Sequence, residues 1–487
     1  MTEHVHIAIV GAGFSGIGAA IRLLQRGTHE FVVLERSEDV GGVWRENRYP
    51  GCACDVESPL YSFSFAPNPG WTRMFSPQPE ILEYLRRVTD EFGVRPYVRL
   101  GCLVEEASWD DDARRWQLQT SQGPLTADIV ISGMGALTGP SVPAFRGIEK
   151  FQGKAFHSAE WPHTQGRPEQ LVRGQRVAVV GTGASAIQIV PNIQPEVARL
   201  TLFQRTPAWV IPRRDRAFGK LEQRMFEALP FTQQLLRMGL YCRHEASLVG
   251  FRNPAVMRII ERLALRYLDS QIADPKLRAQ LRPNFRFGCK RVLLSDDYYP
   301  ALTKPNVELV GAGIRELVPD GIIDNEGRLH ELDTIIWATG FEVTDPPFAK
   351  YVRGRDGQSL AELWRGSPQA YLGTMVAGFP NMFLMTGPNT GLGHTSMLLM
   401  IEAQLELMLG ALAEFERGAV TIEPDAATQA RYVAELERGG RGTVWTAGGC
   451  ASWYLDRTGR NSTLWPWSTY RFMRRAKFER DDYLVAT

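Results

Sequence analysis

The sequence predicts an α/β protein built from two dinucleotide-binding (Rossmann-like) domains, with a helical insertion in the second. Three observations carry that reading. The apolar run His6–Val10 leads straight into Gly11-Ala-Gly13-Phe-Ser-Gly16 and a helical stretch. A second run, Arg176–Val180, leads into Gly181-Thr-Gly183-Ala-Ser-Ala186 and another helical stretch. Between residues 215 and 284 the pattern changes to apolar residues at helical spacing, as in VMRIIERLALRYL. The expected division is 1–148 and 378–487 for the first domain, 149–214 and 285–377 for the second, and 215–284 for the insertion.

In the first unit, HIAIV has the unbroken apolar character of a strand buried on both faces. Gly11 and Gly13 let the backbone approach a pyrophosphate, Gly16 lets helix and strand pack closely, and the helix N-terminus offers unpaired N–H groups. The next strand, FVVLE, ends in Glu35, 24 residues after Gly11, where a carboxylate accepts hydrogen bonds from a ribose diol. In the second unit Ala186 takes the third glycine position, and LTLFQ is followed by Arg205-Thr206 instead of an acid. A carboxylate there would repel a 2′-phosphate; a guanidinium with a hydroxyl neighbour attracts it. The first unit is therefore read as an FAD site and the second as an NADPH site.

Other segments follow in order. Gly41–Asp55, GGVWRENRYPGCACD, is rich in Gly, Pro and Asn and reads as a loop without regular structure, a lid over a flat ring. Asp55 either faces that ring or caps the following turn. Pro79–Phe92 reads as an amphipathic helix and Val98–Val130 as a small β-meander. Phe151–His163 reads as the joint between the cofactor domains, with Gly153 for a tight turn and His157 able to change its proton count near neutral pH. In FRFGCKR, Lys290 is placed with Arg205 on the 2′-phosphate and Arg291 toward the flavin. TIIWATG and NMFLMTG are buried strands; PNTGLGHTS then leads into a helix with Thr395 or Ser396 as N-cap. That N-terminus would stabilise negative charge on a flavin pyrimidine. CASWY and NSTLWPW form an aromatic-rich loop pair, read as core packing or a cofactor lid.

Composition limits the partners. Lys+Arg number 55 against Asp+Glu 54, which argues against nucleic acid or an anionic membrane surface. Cys52, Cys54, Cys102, Cys242, Cys289 and Cys450 show no zinc spacing and are expected to be free thiols in a reducing cytoplasm. Cys52 and Cys54 lie too close in sequence for a flavin-reductase redox pair. The N-terminus lacks a signal-peptide pattern, and the uncharged run Gly366–Ile401 is cut by repeated Gly and Pro. A cytoplasmic monomer or weak homo-oligomer with no metal and no integral membrane segment is expected.

Four motifs together carry a family resemblance over nearly the whole chain: FQGKAFHSAEWP with Trp161-Pro162, GGVWRENRYPGCACD, FGCKR, and SWYLDRTGRNSTLWP. They resemble the type I Baeyer–Villiger monooxygenases, in a shorter subgroup. The resemblance implies that NADPH reduces FAD and that O2 adds to give a C4a-peroxyflavin. Its attack on a ketone then yields an ester or lactone, and sulfoxidation is expected as well. Arg291 would stabilise the peroxide and the developing oxyanion, Asp55 would orient Arg291, and His157 would serve domain motion and cofactor coupling. The implied flavin contacts are Gly11, Gly13, Ser15, Gly16, Glu35, Val43, Trp44, Asp55, Tyr61, Val104 and Met397. The implied NADPH contacts are Gly181, Thr182, Gly183, Ser185, Gln188, Arg205, Thr206, Lys290 and Trp453. GPNTGLGHTS is closer to the sister flavin-containing monooxygenases, which leaves cyclic, linear and aromatic ketones and sulfides all open as substrates. Two rivals stand beside this reading: an N- or S-hydroxylating monooxygenase, which would not need Arg291, and a non-oxygenating reductase or scaffold.

Overall fold

Parallel strand pairing sets the frame. The computed structural model describes residues 2–163 and 166–487. Glu3–Val10 lies inside an eight-stranded sheet, parallel to Phe31–Leu34 on one side and Leu125–Ser132 on the other. Ile7, Ala8 and Ile9 are fully buried, as an apolar run without alternation requires. The expected meander is present: Val104–Asp110, Arg115–Thr120 and Leu125–Ser132 are antiparallel neighbours. Met382–Leu384 completes the same edge by pairing parallel to residues 130–132. Val352–Arg353 also joins this sheet beside Val104–Asp110, so the chain returns to it ahead of residue 378.

The second sheet has five parallel strands in the order Val307–Val310, Arg199–Phe203, Arg176–Val180, Thr334–Trp337, Lys154–His157. The stretch read as a joint is thus partly the edge strand of this sheet. Four residues are too few to show an alternating pattern, which is why sequence reading missed it. Gly153 is needed for close approach and not for a turn. A Cβ there would lie 2.5 Å from the Asp333 carbonyl oxygen.

Helices Lys220–Ala228, Pro230–Arg252, Pro254–Gln271 and Pro275–Leu281 fill the predicted helical region. Proline opens the last three, where its missing N–H costs nothing. Asn253 and Asp274 accept from the first-turn N–H groups of the helices they precede. One further correction concerns the lid loop, which contains a single helical turn, Val43–Glu46. A continuous core including Ile9, Phe14, Phe63, Ile187, Leu202 and Leu405 packs the two sheets' helices together.

Candidate active site

Each glycine loop sits at the carboxyl end of its strand, where open α/β sheets bind nucleotides. Gly11 has φ +97°, and a Cβ on Gly16 would fall 1.8 Å from the Gly11 carbonyl oxygen. Gly13 precedes helix Phe14–Gln25 and caps it without a side chain, so the first-turn N–H groups, Ser15 among them, are left for an anion. Glu35 is buried at the end of the second strand. Its carboxylate accepts from the N–H groups of Ala12 at 2.7 Å and Ser37 at 2.9 Å, which fixes it beside the loop. Cys102, two residues before Val104, donates its N–H to the Glu35 carbonyl.

The ring end has other walls. Trp44 donates through Nε1 to the Tyr61 hydroxyl at 3.0 Å, and Phe14 meets Tyr61 edge-on at 5.3 Å. Val43 opens the turn beneath them, and the lid presses so closely on the phosphate loop that a Cβ on Gly42 would sit 2.9 Å from Gly13 Cα. Ser396, not Thr395, caps helix Met397–Glu416. The hydroxyls of Thr386 and Thr395 and Nε2 of His157 are buried without a partner among the described residues. The two threonine hydroxyls, at a strand end and a helix start of the first domain, fit a polar ligand.

The second loop repeats the logic with a different charge. Gly181 has φ +114°, and a Cβ there would lie 2.3 Å from the Ala338 carbonyl oxygen. Gly183 caps helix Ala184–Ile193, with Ser185 in its first turn. Thr182 donates its hydroxyl to the Thr206 carbonyl at 2.7 Å and ties the loop to the segment carrying Arg205. Lys290 lies 5.2 Å over the Phe285 ring. Burial, and after it the nearby charge of Arg205, lowers the Lys290 pKa. Two neighbouring cations with no carboxylate within 4.0 Å among the described residues suit a phosphate.

Gln188 reaches across to the first domain. Its amide nitrogen donates to the Ala53 carbonyl at 3.0 Å and its oxygen accepts from the Tyr49 hydroxyl at 3.0 Å. The side chain clamps the second domain's helix to the first domain's lid. Gly51 makes the same approach: a Cβ there would meet Asn192 Nδ2 at 2.1 Å. His157 is buried, accepts at Nδ1 from the Ala159 N–H at 3.1 Å and meets Phe341 edge-on at 5.4 Å. Burial lowers its pKa, which favours the neutral imidazole.

Arg291 and Asp55 meet between the two nucleotide units. Nε donates to Oδ2 and Nη2 to Oδ1, both at 2.6 Å. Burial acts to raise the Asp55 pKa, but the Arg291 charge and hydrogen bonds outweigh it and hold the carboxyl below its usual range. The Asp55 charge raises the Arg291 pKa further above its already high value. With 39% of its side chain exposed, the guanidinium keeps a face open to whatever enters the cleft. Arg213 supports the arrangement by donating to the Cys54 carbonyl at 3.0 Å.

The loop that carries Arg291 is held on several sides. Trp209 Nε1 donates to the Phe285 carbonyl at 2.9 Å, Glu261 accepts from the Phe287 N–H at 3.0 Å, and the Arg286 N–H donates to Gly448. Gly288, at φ +84°, would drive a Cβ to 2.7 Å from the Phe251 ring. Cys289 and Cys450 form a disulfide, which corrects the expectation of six free thiols. It joins the Arg291 loop to the loop bearing Trp453. Trp453 is 42% exposed and packs on buried Tyr454 with ring centroids 4.5 Å apart.

Two clusters escaped sequence reading. Buried Glu57, two residues past Asp55, accepts from His244 Nε2 at 2.7 Å and pairs with Arg243. Glu245 accepts from the Thr469 N–H at 3.1 Å and sits 3.4 Å from His394 Nε2. Both fasten helix Pro230–Arg252 to the first domain, and no spacing pattern announces either.

Two dinucleotide-binding loops, one followed by an acid and the other by a cation, together with a guanidinium–carboxylate pair, are the features of a flavoprotein of the oxygenase class. The chain belongs to the flavin-binding monooxygenase-like family, whose profile matches residues 4–358. It is 49% identical over 478 residues to a Baeyer–Villiger monooxygenase of Streptomyces coelicolor, covering 98% of this chain and 91% of that one. A Baeyer–Villiger monooxygenase of Pseudomonas aeruginosa is 48% identical over 96% of this chain and 89% of its own. Among solved structures, closed cyclohexanone monooxygenase superposes with a TM-score of 0.89 at 28% identity, covering 100% of both chains. OTEMO in complex with FAD and NADP matches with a TM-score of 0.89 at 26% identity, again over 100% of both.

Proposed function

We propose that this chain is an NADPH-dependent flavoprotein monooxygenase that inserts one oxygen atom beside a ketone carbonyl, giving an ester or lactone, and that also oxygenates sulfides. FAD reduced by NADPH supplies the oxygen activation. Everything else falls to the protein. The Gly11–Gly16 loop and Glu35 hold the flavin nucleotide; the Gly181–Gly183 loop, Thr206, Arg205 and Lys290 hold the phosphorylated nicotinamide nucleotide.

Arg291 presents a permanent positive charge at the face where an anionic oxygen develops, and Asp55 fixes its plane. The aspartate also keeps the local net charge near zero, so the arginine is anchored without a further counter-ion. His157, its pKa lowered by burial, accepts from the Ala159 N–H at the end of its strand and holds the turn that follows. Trp44, Tyr61 and the Trp453 loop wall the cleft against water. NADPH dependence favours a cytoplasmic site of action.

The observation that carries the reading is the Arg291–Asp55 pair between two nucleotide loops. A panel of cyclic, linear and aromatic ketones with aryl sulfides, scored by product mass and NADPH consumed, tests it. Ester or lactone one oxygen heavier than the ketone is the expected product. NADPH consumption with hydrogen peroxide as the sole product across the panel would refute it.

A further inference from the structure

Helix Pro230–Arg252 carries apolar side chains on both of its faces: Leu240, Leu248 and Phe251 are buried. Three of its polar side chains also face the protein. Gln233 donates to the Asn68 carbonyl at 2.7 Å, Arg237 to the carbonyls of Pro59 at 2.6 Å and Ser62 at 2.9 Å, and His244 meets Glu57. A second apolar row faces outward: Phe231, Leu235, Met238 and Val249 are all more than half exposed. Residues 231, 235, 238, 242 and 249 recur at helical spacing and form one stripe, with exposed Cys242 between the methionine and the valine.

The neighbouring helices extend the stripe. Helices Lys220–Ala228 and Pro254–Gln271 both pack against Pro230–Arg252. The first exposes Leu221 and Met225, the second Ile259 and Leu263. Half of the exposed large apolar side chains among the described residues lie on this one insertion, so they form a patch and not scattered singles. Charge accompanies the patch. Residues 215–284 hold twelve Lys/Arg against seven Asp/Glu, a net +5 in a chain whose total is +1. Arg258, Arg262 and Arg266, four apart and exposed, flank the apolar row and make no ion pair among the described residues. The chain-wide charge balance conceals this local excess.

We propose that this face docks on the surface of an anionic lipid bilayer, its apolar row entering the headgroup boundary and its arginines meeting lipid phosphates. A basic amphipathic surface of this kind lies in the interface plane. Among the described residues no helix is long and apolar enough to cross a membrane, so the contact is peripheral. A second copy of the chain is the weaker occupant, because it would set one net-positive face against another. The inference does not depend on the oxygenation chemistry.

Flotation of the FAD-loaded protein with vesicles tests it. At low salt the wild type is expected to float at least about tenfold more with phosphatidylglycerol–phosphatidylcholine vesicles than with phosphatidylcholine alone, and to detach as salt rises. The triple change Phe231→Ser, Leu235→Ser, Met238→Ser should abolish flotation, with flavin content and NADPH oxidation showing the fold intact. Arg258→Glu with Arg262→Glu should remove the preference for the anionic lipid. The proposal is overturned if the wild type stays with the bulk protein, or if either variant floats like wild type. It is equally overturned if the wild type is a dimer in solution that the triple change splits, since the face would then be a contact between copies.

Discussion

Arg291 and Asp55, 236 residues apart in the chain, share two parallel hydrogen bonds of 2.6 Å. The bidentate geometry fixes the plane of the guanidinium as well as its position, which a lysine at 291 would not do. Removing the carboxylate leaves the arginine charged but unoriented. Asp55→Asn is therefore expected to lower ester formation at least about tenfold while flavin stays bound, each hydrogen bond to a charged partner being worth about 1.5–3 kcal/mol. Product formed per NADPH consumed is the measurement.

The same pair sets an acid limit. Because the folded-state pKa of Asp55 lies below its ordinary value, its stabilisation is complete above the ordinary carboxylate range. It is lost as pH falls through the lowered value. Denaturation midpoints of wild type should drop on acidification below about pH 4 more steeply than those of Asp55→Asn.

Arg205 and Lys290 repel one another until an anion lies between them. Arg205→Ala and Lys290→Ala should each raise KM for NADPH about tenfold or more and leave KM for NADH nearly unchanged. Steady-state kinetics with the two nucleotides separates this from a general loss of binding.

His157 shows the same sign as Asp55 in a higher pH window. Burial lowers its pKa, so below the ordinary histidine range the unfolded chain binds a proton that the folded chain refuses. Stability is unaffected at higher pH and declines as pH falls through about 6.5 toward the lowered value. In His157→Asn, which can still accept from the Ala159 N–H, this imidazole's share of the decline below about pH 6.5 should be absent in thermal melts.

The Cys289–Cys450 bridge fastens the Arg291 loop to the Trp453 loop. Cys289→Ser with Cys450→Ser should leave NADPH oxidation within about twofold, lower stability by about 2–4 kcal/mol, and divert consumption from ester to hydrogen peroxide. Peroxide yield and a free-thiol count on the wild-type protein check both halves of this.

The nucleotide loops were legible because much of their requirement is local: Gly11 and Gly181 hold a positive φ, and a Cβ on Gly16 would strike the Gly11 carbonyl five residues earlier. The acid at Glu35 against the cation at Arg205 was legible for the same reason, each lying just past its own strand. What sequence left hidden depends on distant pairing. Periodicity marked apolar residues at helical spacing but could not say that Gln233, Arg237 and His244 face inward, because Asn68, Pro59 and Glu57 are brought beneath them only by folding. The cysteine bridge joins residues 161 apart, and the Gln188 clamp joins two separate nucleotide units. The arginine–aspartate pair itself came from resemblance, since nothing in the spacing of residues 55 and 291 requires it.

The most direct test is the Arg291→Ala enzyme, assayed with FAD bound for ester produced and NADPH consumed. The account predicts that NADPH oxidation continues within about tenfold while ester falls at least about 100-fold, the effect of deleting one group that stabilises developing charge. A flavin-loaded variant that still forms ester at close to the wild-type rate would contradict it.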